Sequence, residues 1–171
     1  MDEKLVSIIK KIQSTGGAPC KKKVQKIIYL IEEAGEDLGY EYSIHFYGPY
    51  SSDLDYAIQN LYNHEELNIN ITQYGHYISV DDSKSTIELS DLVNRIVDAF
   101  GQKDPSDLEL ITTTRYVQDR IDSTNNSDII EGVKKIKGSK YDNIQIIDAI
   151  KMLSKAGFVN KNNKYDEKDN S

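Results

Sequence analysis

Four lysines, Lys21, Lys22, Lys23 and Lys26, lie directly after Cys20. Ammonium groups crowded at the start of a helix suit an anion, because unbonded backbone N–H groups and the helix dipole point the same way. The plainer reading is a solvated face. Cys20 beside these lysines, with a distant His, is the chain's candidate nucleophile, and the spacing is that of no known catalytic pair. His45, His64 and His76 are the remaining nitrogen ligands, and with Cys20 they match no zinc spacing. No glycine-rich phosphate loop, nucleophile elbow or paired-carboxylate motif occurs. The residues therefore predict no catalytic group, no metal and no cofactor, and the chain is not expected to be an enzyme.

A second group of residues suits contact rather than reaction. Positions 36–82 carry nine Asp and Glu and no Lys or Arg, whereas positions 1–35 carry seven Lys and four acids. Seven of the twelve tyrosines fall between Tyr42 and Tyr77. Tyrosine buries a large ring and keeps a polar tip, so it favours interfaces. Tyr47, Gly48, Pro49, Tyr50, Asp53, Asp55, Tyr56, Glu65 and Glu66 form the candidate partner-binding set, with a basic partner favoured by charge. The Gly48-Pro49 turn is otherwise structural, since Gly permits positive φ and Pro fixes the next residue.

The elements that must position these residues are legible from apolar spacing. Leu5, Ile8, Ile9 and Ile12 repeat at helical intervals and stop at Gly16-Gly17. Val24, Ile27, Ile28 and Ile31 repeat the pattern as far as Gly35. In this second helix the lysines open the first turn and Glu32 and Glu33 close the last, both against the macrodipole. Lys22 and Lys26 are also a like-charge pair four residues apart. Tyr40 to Tyr47 reads as extended, broken by Gly48-Pro49. Ser51-Ser52 caps a helix with Asp53 and Asp55 at its start and Leu54, Ile58 and Leu61 on its apolar side. Residues 67–72 and 76–80 alternate around Gln73-Tyr74-Gly75 and predict a hairpin.

The second half reads as helices: Ser90 to Gly101, a segment opened by Pro105 with Ser106 and Glu109 as a capping box, a short helix capped by Ser127, and a last one ending at Gly157. The expected fold is mainly α (α+β), a winged-helix-like N-terminal half (1–82) with a small hairpin, then a C-terminal helical bundle (88–158). Residues 1–160 are expected to form one domain and 161–171 a disordered tail.

Net charge −7 speaks against general nucleic-acid binding, which needs clustered cations. A single Cys excludes an internal disulfide framework and fits a reducing compartment. No apolar run of membrane-spanning length occurs, and Met-Asp-Glu-Lys does not read as a signal peptide, so a cytoplasmic protein is expected. In a winged helix the third helix enters the major groove and the hairpin touches phosphate. Here both are acidic, so the geometry is expected without ordinary DNA reading.

The stretch Lys22-Lys23-Val24-Gln25-Lys26-Ile27-Ile28-Tyr29-Leu30, followed by Phe46-Tyr47-Gly48-Pro49-Tyr50-Ser51, resembles the YwgA family of uncharacterised prokaryotic proteins. More distantly it is similar to the SocA-like, or Panacea, antitoxin domain, with its Tyr-Leu helix and Tyr-Gly-Pro turn. Asp107 to Thr112, Tyr116 and Lys137 to Lys140 also fit, over roughly residues 4–158. His45-Phe46 stands where the Panacea pattern has a Trp. The resemblance implies a helical fold acting as an antitoxin or adaptor by binding a protein, such as a toxin or a regulated protein. The competing expectation is a winged-helix nucleic-acid-binding regulator that uses Lys21, Lys22, Lys23 and Lys26.

Overall fold

A computed structural model describes residues 2–158, so the tail expected to be disordered lies outside the described residues. The first helical stripe becomes α1 (Asp2–Gly16), and Leu5, Ile8, Ile9 and Ile12 are all buried. The second becomes α2 (Lys21–Glu33), whose positions Val24 to Ile31 are buried throughout. α4 (Asp91–Phe100) is capped by the Ser90 side chain, which accepts from the Val93 N–H, and buries Val93, Ile96, Val97 and Phe100. α1, α2 and α4 pack together, with the last hairpin strand against α1 and α2. This core is the burial that spacing of three and four residues produces.

Between α2 and α4 the chain forms β1 (Ser43–His45), β2 (Gly48–Tyr50), α3 (Ser52–Asn63), β3 (Asn68–Thr72) and β4 (Gly75–Ser79). The Gly48-Pro49 step, expected to break an extended segment, instead starts β2, which pairs with β1. β3 and β4 are antiparallel with Asn68 opposite Ser79 and Thr72 opposite Gly75, as the alternation predicts. β4 has a second neighbour: the Ile78 N–H donates to the Pro19 carbonyl at 2.8 Å, beside a bridge between Cys20 and Tyr77. Seven helices and two small antiparallel hairpins among the described residues make the fold mainly α with a minor β part.

The chain divides into two compact units. Among the described residues the first is 2–43 with 50–108 and the second is 44–49 with 109–158. In sequence the later boundary between the units falls within α5 (Pro105–Arg120). α5 begins at Pro105, one residue before the expected cap Ser106, and the Leu108 N–H bonds to the Asp104 carbonyl at 3.0 Å.

The second unit contains α6 (Asn126–Lys137) and α7 (Asn143–Lys155), which pack on one another. The cap of α6 is Asn125, whose side chain accepts from the Ser127 N–H, and not Ser127 itself. α7 starts with a capping box between Asp142 and Gln145. A Cβ at Gly132 would stand 2.6 Å from Val117 Cγ1, so α6 needs glycine there to approach α5.

α5 departs furthest from an amphipathic pattern. Glu109, Thr112, Thr113, Thr114, Arg115 and Gln118 are buried along with Leu108, Leu110, Ile111 and Val117. Two of the threonines turn their hydroxyls back on their own helix, Thr114 to the Leu110 carbonyl at 2.8 Å and Thr112 to that of Glu109 at 3.3 Å. Such back-bonding lets a polar side chain enter an interior without losing a hydrogen bond.

Candidate functional site

The candidate partner-binding residues are divided between the two units: Tyr47, Gly48 and Pro49 belong to the second, and Tyr50, Asp53, Asp55, Tyr56, Glu65 and Glu66 to the first.

In the first unit α3 is fixed by polar contacts at its start. Ser51 is fully buried and caps the helix through its hydroxyl, which accepts from the Leu54 N–H at 3.2 Å. The Gln25 amide of α2 meets the Ser51 backbone twice, accepting from its N–H at 3.0 Å and donating to its carbonyl at 2.8 Å. A buried amide that satisfies a buried peptide on both sides sets the register of the two helices. Lys21 adds an ion pair to Asp55 at 2.9 Å. Burial, with the Asp55 carboxylate alongside, raises the pKa of Tyr50 above the usual phenol value. Asp55 and Tyr50 are thus occupied in holding α3.

What α3 leaves outward is Asp53, Tyr56, Gln59 and Tyr62, with Tyr56 69% and Tyr62 44% exposed. Its end is a Schellman turn: the Glu65 N–H bonds to the Tyr62 carbonyl and the Glu66 N–H to that of Leu61. Glu65 occupies the left-handed position with φ 59°. Glu66 pairs with Lys84 at 3.3 Å. The hairpin beyond presents Ile71 at 70% and Tyr74 at 81% exposure.

The tyrosines of this region differ in role. Tyr42 packs edge-to-face on Tyr29 with ring centroids 5.0 Å apart, and burial drives its pKa upward. Nearby, one oxygen of Glu32 accepts the N–H groups of Leu38 and Tyr40 at 3.1 and 3.0 Å. Desolvation nevertheless raises the Glu32 pKa.

The lysines do not form one exposed cluster. Lys26 is 2% exposed, Lys21 is paired with Asp55, and Lys22 and Lys23 are half-buried. Cys20 is the N-cap of α2 without a side-chain capping bond.

In the second unit Phe46 and Tyr47 form the tip between β1 and β2, their rings edge-to-face at 4.9 Å. Phe46 is 82% exposed, yet its carbonyl is held from inside by Lys137 Nζ at 2.6 Å. The same ammonium bonds to Glu109 Oε1 at 2.7 Å, and Lys140 Nζ reaches that oxygen at 2.8 Å. Glu109 is 1% exposed and the Lys137 side chain 4%. The carboxylate hydrogen bond is the main cause that raises the Lys140 pKa. This buried ionic group, which fixes the aromatic tip, is what sequence reasoning missed. The spacing of Lys137 and Lys140 around Gly138 was the available signal, but a Glu in an early helical turn is ordinarily read as a capping residue.

The chain is similar to an uncharacterised protein, YwgA of Bacillus subtilis (strain 168), with 26% identity over 159 residues that cover 85% of this chain and 95% of that protein. No family model matches. The similarity is distant and supports placing the chain among YwgA-like proteins. No helix of the described residues is long and apolar enough to cross a membrane.

Proposed function

We propose that this chain is a non-enzymatic protein-interaction module, an antitoxin-like or regulatory adaptor of the cytoplasm. Its partner docks on α3 and the β3–β4 hairpin. The observation that carries the reading is the exposure of four large side chains, Tyr56, Tyr62, Ile71 and Tyr74, on elements that contain no Lys or Arg. Exposed aromatics with low ordering entropy make contact hot spots. Carboxylates around them select a basic partner. The order α1, the Pro19–Cys20 bridge, α2, α3 and a hairpin supports a winged-helix-like reading of the first unit. Its acidic third helix and burial of Lys26 weigh against nucleic acid as the ligand.

The test is capture from the native cells with tagged wild-type protein, Tyr56→Ala/Tyr74→Ala and Lys22→Glu/Lys23→Glu, with and without nuclease. The expected result is one stoichiometric, nuclease-resistant protein that the tyrosine variant loses and the lysine variant keeps. Nuclease-sensitive recovery lost from the lysine variant would replace the reading with a nucleic-acid-binding regulator. A partner retained by both variants would remove this surface.

A further inference from the structure

The hairpin has one open edge, and its hydrogen-bond register identifies which groups line it. β4 is flanked by β3 on one side and by Pro19–Cys20 on the other. Because the Ile78 N–H donates to Pro19, and both Val80 backbone groups bond to the Gln13 amide, the even-numbered residues of β4 turn away from β3. In an antiparallel ladder, directly opposed residues alternate between exchanging both hydrogen bonds and exchanging none. Ile69, opposite Ile78, and Ile71, opposite His76, are therefore the non-bonded pairs. Their N–H and C=O groups point outward, and among the described residues nothing else bonds to them.

Proteins commonly blunt such an edge with lysine, proline or a bulge. The strand Asn68-Ile69-Asn70-Ile71-Thr72 has no charge, no proline and an unbroken register. The side chains of Ile69 and Ile71 lie on the face of Ile78, which is fully buried, but Ile71 at the outer end stays 70% exposed. Charge is concentrated at the other end. Glu65 and Glu66 precede β3 and Asp81 and Asp82 follow β4, and the register brings these ends together. Lys84 engages Glu66; Glu65, Asp81 and Asp82 are exposed.

We propose that the β3 edge is a strand-addition site for an extended segment of a basic protein. The segment's backbone bonds to Ile69 and Ile71, an apolar side chain covers Ile71, and a Lys or Arg meets Glu65, Asp81 and Asp82. Main-chain bonds supply affinity in this mode and alternate side chains supply selectivity. The inference rests on the protein-interaction reading and names its mode and partner class. A second copy of this chain, paired antiparallel through the same edge, would set these acids beside its turn at residues 72–75, which holds no Lys or Arg, so complementarity favours a basic partner.

The probe is the peptide Arg-Thr-Val-Thr-Val-Thr-Arg, with a control in which both Arg are Glu, added to the full chain while amide hydrogen exchange is followed by NMR. The expected result is slowed exchange at Ile69 and Ile71, little change at Asn70, and loss of binding with the Glu control. Ile71→Pro removes an outward N–H and spares the ladder, so it weakens binding about tenfold, the upper range for one hydrogen bond. Ile71→Lys checks the edge without a backbone change and weakens binding similarly. Peptide binding without protection at Ile69 and Ile71, or no binding, overturns the proposal. Protection without peptide that grows with protein concentration overturns it in favour of a second copy. A native partner kept by Ile71→Pro but lost from Tyr56→Ala/Tyr74→Ala removes the edge and leaves the interaction reading standing.

Discussion

Replacing Glu65 by glycine is expected to stabilise the protein. Three helices here end in the same pair of hydrogen bonds. After α2 the Gly35 N–H bonds to the Glu32 carbonyl and the Glu36 N–H to that of Ile31; after α7 the Gly157 N–H bonds to the Ser154 carbonyl and the Phe158 N–H to that of Leu153. In both, glycine holds the left-handed position, with φ 113° at Gly35 and 93° at Gly157. α3 makes the same two bonds with Glu65 at φ 59°. A residue with a Cβ pays about 1–2 kcal/mol there. Glycine avoids that cost but loses more freedom on folding, an offset of about 0.5–1 kcal/mol. The net gain for Glu65→Gly is about 0.5–1 kcal/mol, or roughly 1–4 °C in melting temperature for a chain of this size. Urea and thermal unfolding of wild type, Glu65→Gly and Glu65→Gln measure it. Glu65→Gln keeps the Cβ and should match wild type in stability while weakening capture of a basic partner. A Glu65→Gly protein no more stable than wild type would refute the strain argument. Unchanged capture by Glu65→Gln would refute the role of the carboxylate.

Glu109→Gln leaves the buried Lys137 ammonium without its counter-charge and is expected to cost about 3–5 kcal/mol, read by urea denaturation. Adding Lys137→Met should return most of that loss; no recovery would mean that the Phe46 carbonyl contact, not the ion pair, dominates. Gly132→Ala forces Val117 or the α6 backbone to move and should cost about 1–3 kcal/mol, reduced when Val117→Ala is present in the same chain. The Glu32 carboxyl has a raised folded-state pKa, so its ionised form opposes folding at neutral pH and that penalty fades as pH falls towards the unfolded value near ~4.3. Glu32→Gln, which keeps an oxygen for the N–H groups of Leu38 and Tyr40, should be at least as stable as wild type at pH 7 and lose any advantage below about pH 4. A Glu32→Gln protein clearly less stable than wild type at pH 7 would contradict this.

The elements around α3 were legible because their signals are local. Leu5 to Ile12 and Val24 to Ile31 repeat at helical spacing, Ser51 stands before two acids, and residues 67–80 alternate about a turn. The polar interior of α5 was not legible because periodicity assigns polar residues to the outside, whereas Thr112 and Thr114 satisfy themselves within their helix and Glu109 meets lysines 28 and 31 residues further on. Asn125 and Ser127 are both competent caps, and only the geometry of the first turn separates them. In the candidate site, composition marked the tyrosines but not their sides: Tyr56 and Tyr74 face solvent, while Tyr42 is packed on Tyr29. Lys26 has the charge of its neighbours and the helical position of the core, and its position decided.

The tip at residues 44–49 belongs to a unit whose other residues begin at 109. During synthesis it leaves the ribosome some sixty residues before Glu109 and ninety before Lys137, the groups that hold it. At about 5–20 residues per second, Phe46 and Tyr47 emerge several seconds before Lys137 is made. For that interval the nascent chain carries an aromatic tip without its anchor. A truncation ending near residue 108 therefore lacks the groups that shape this turn.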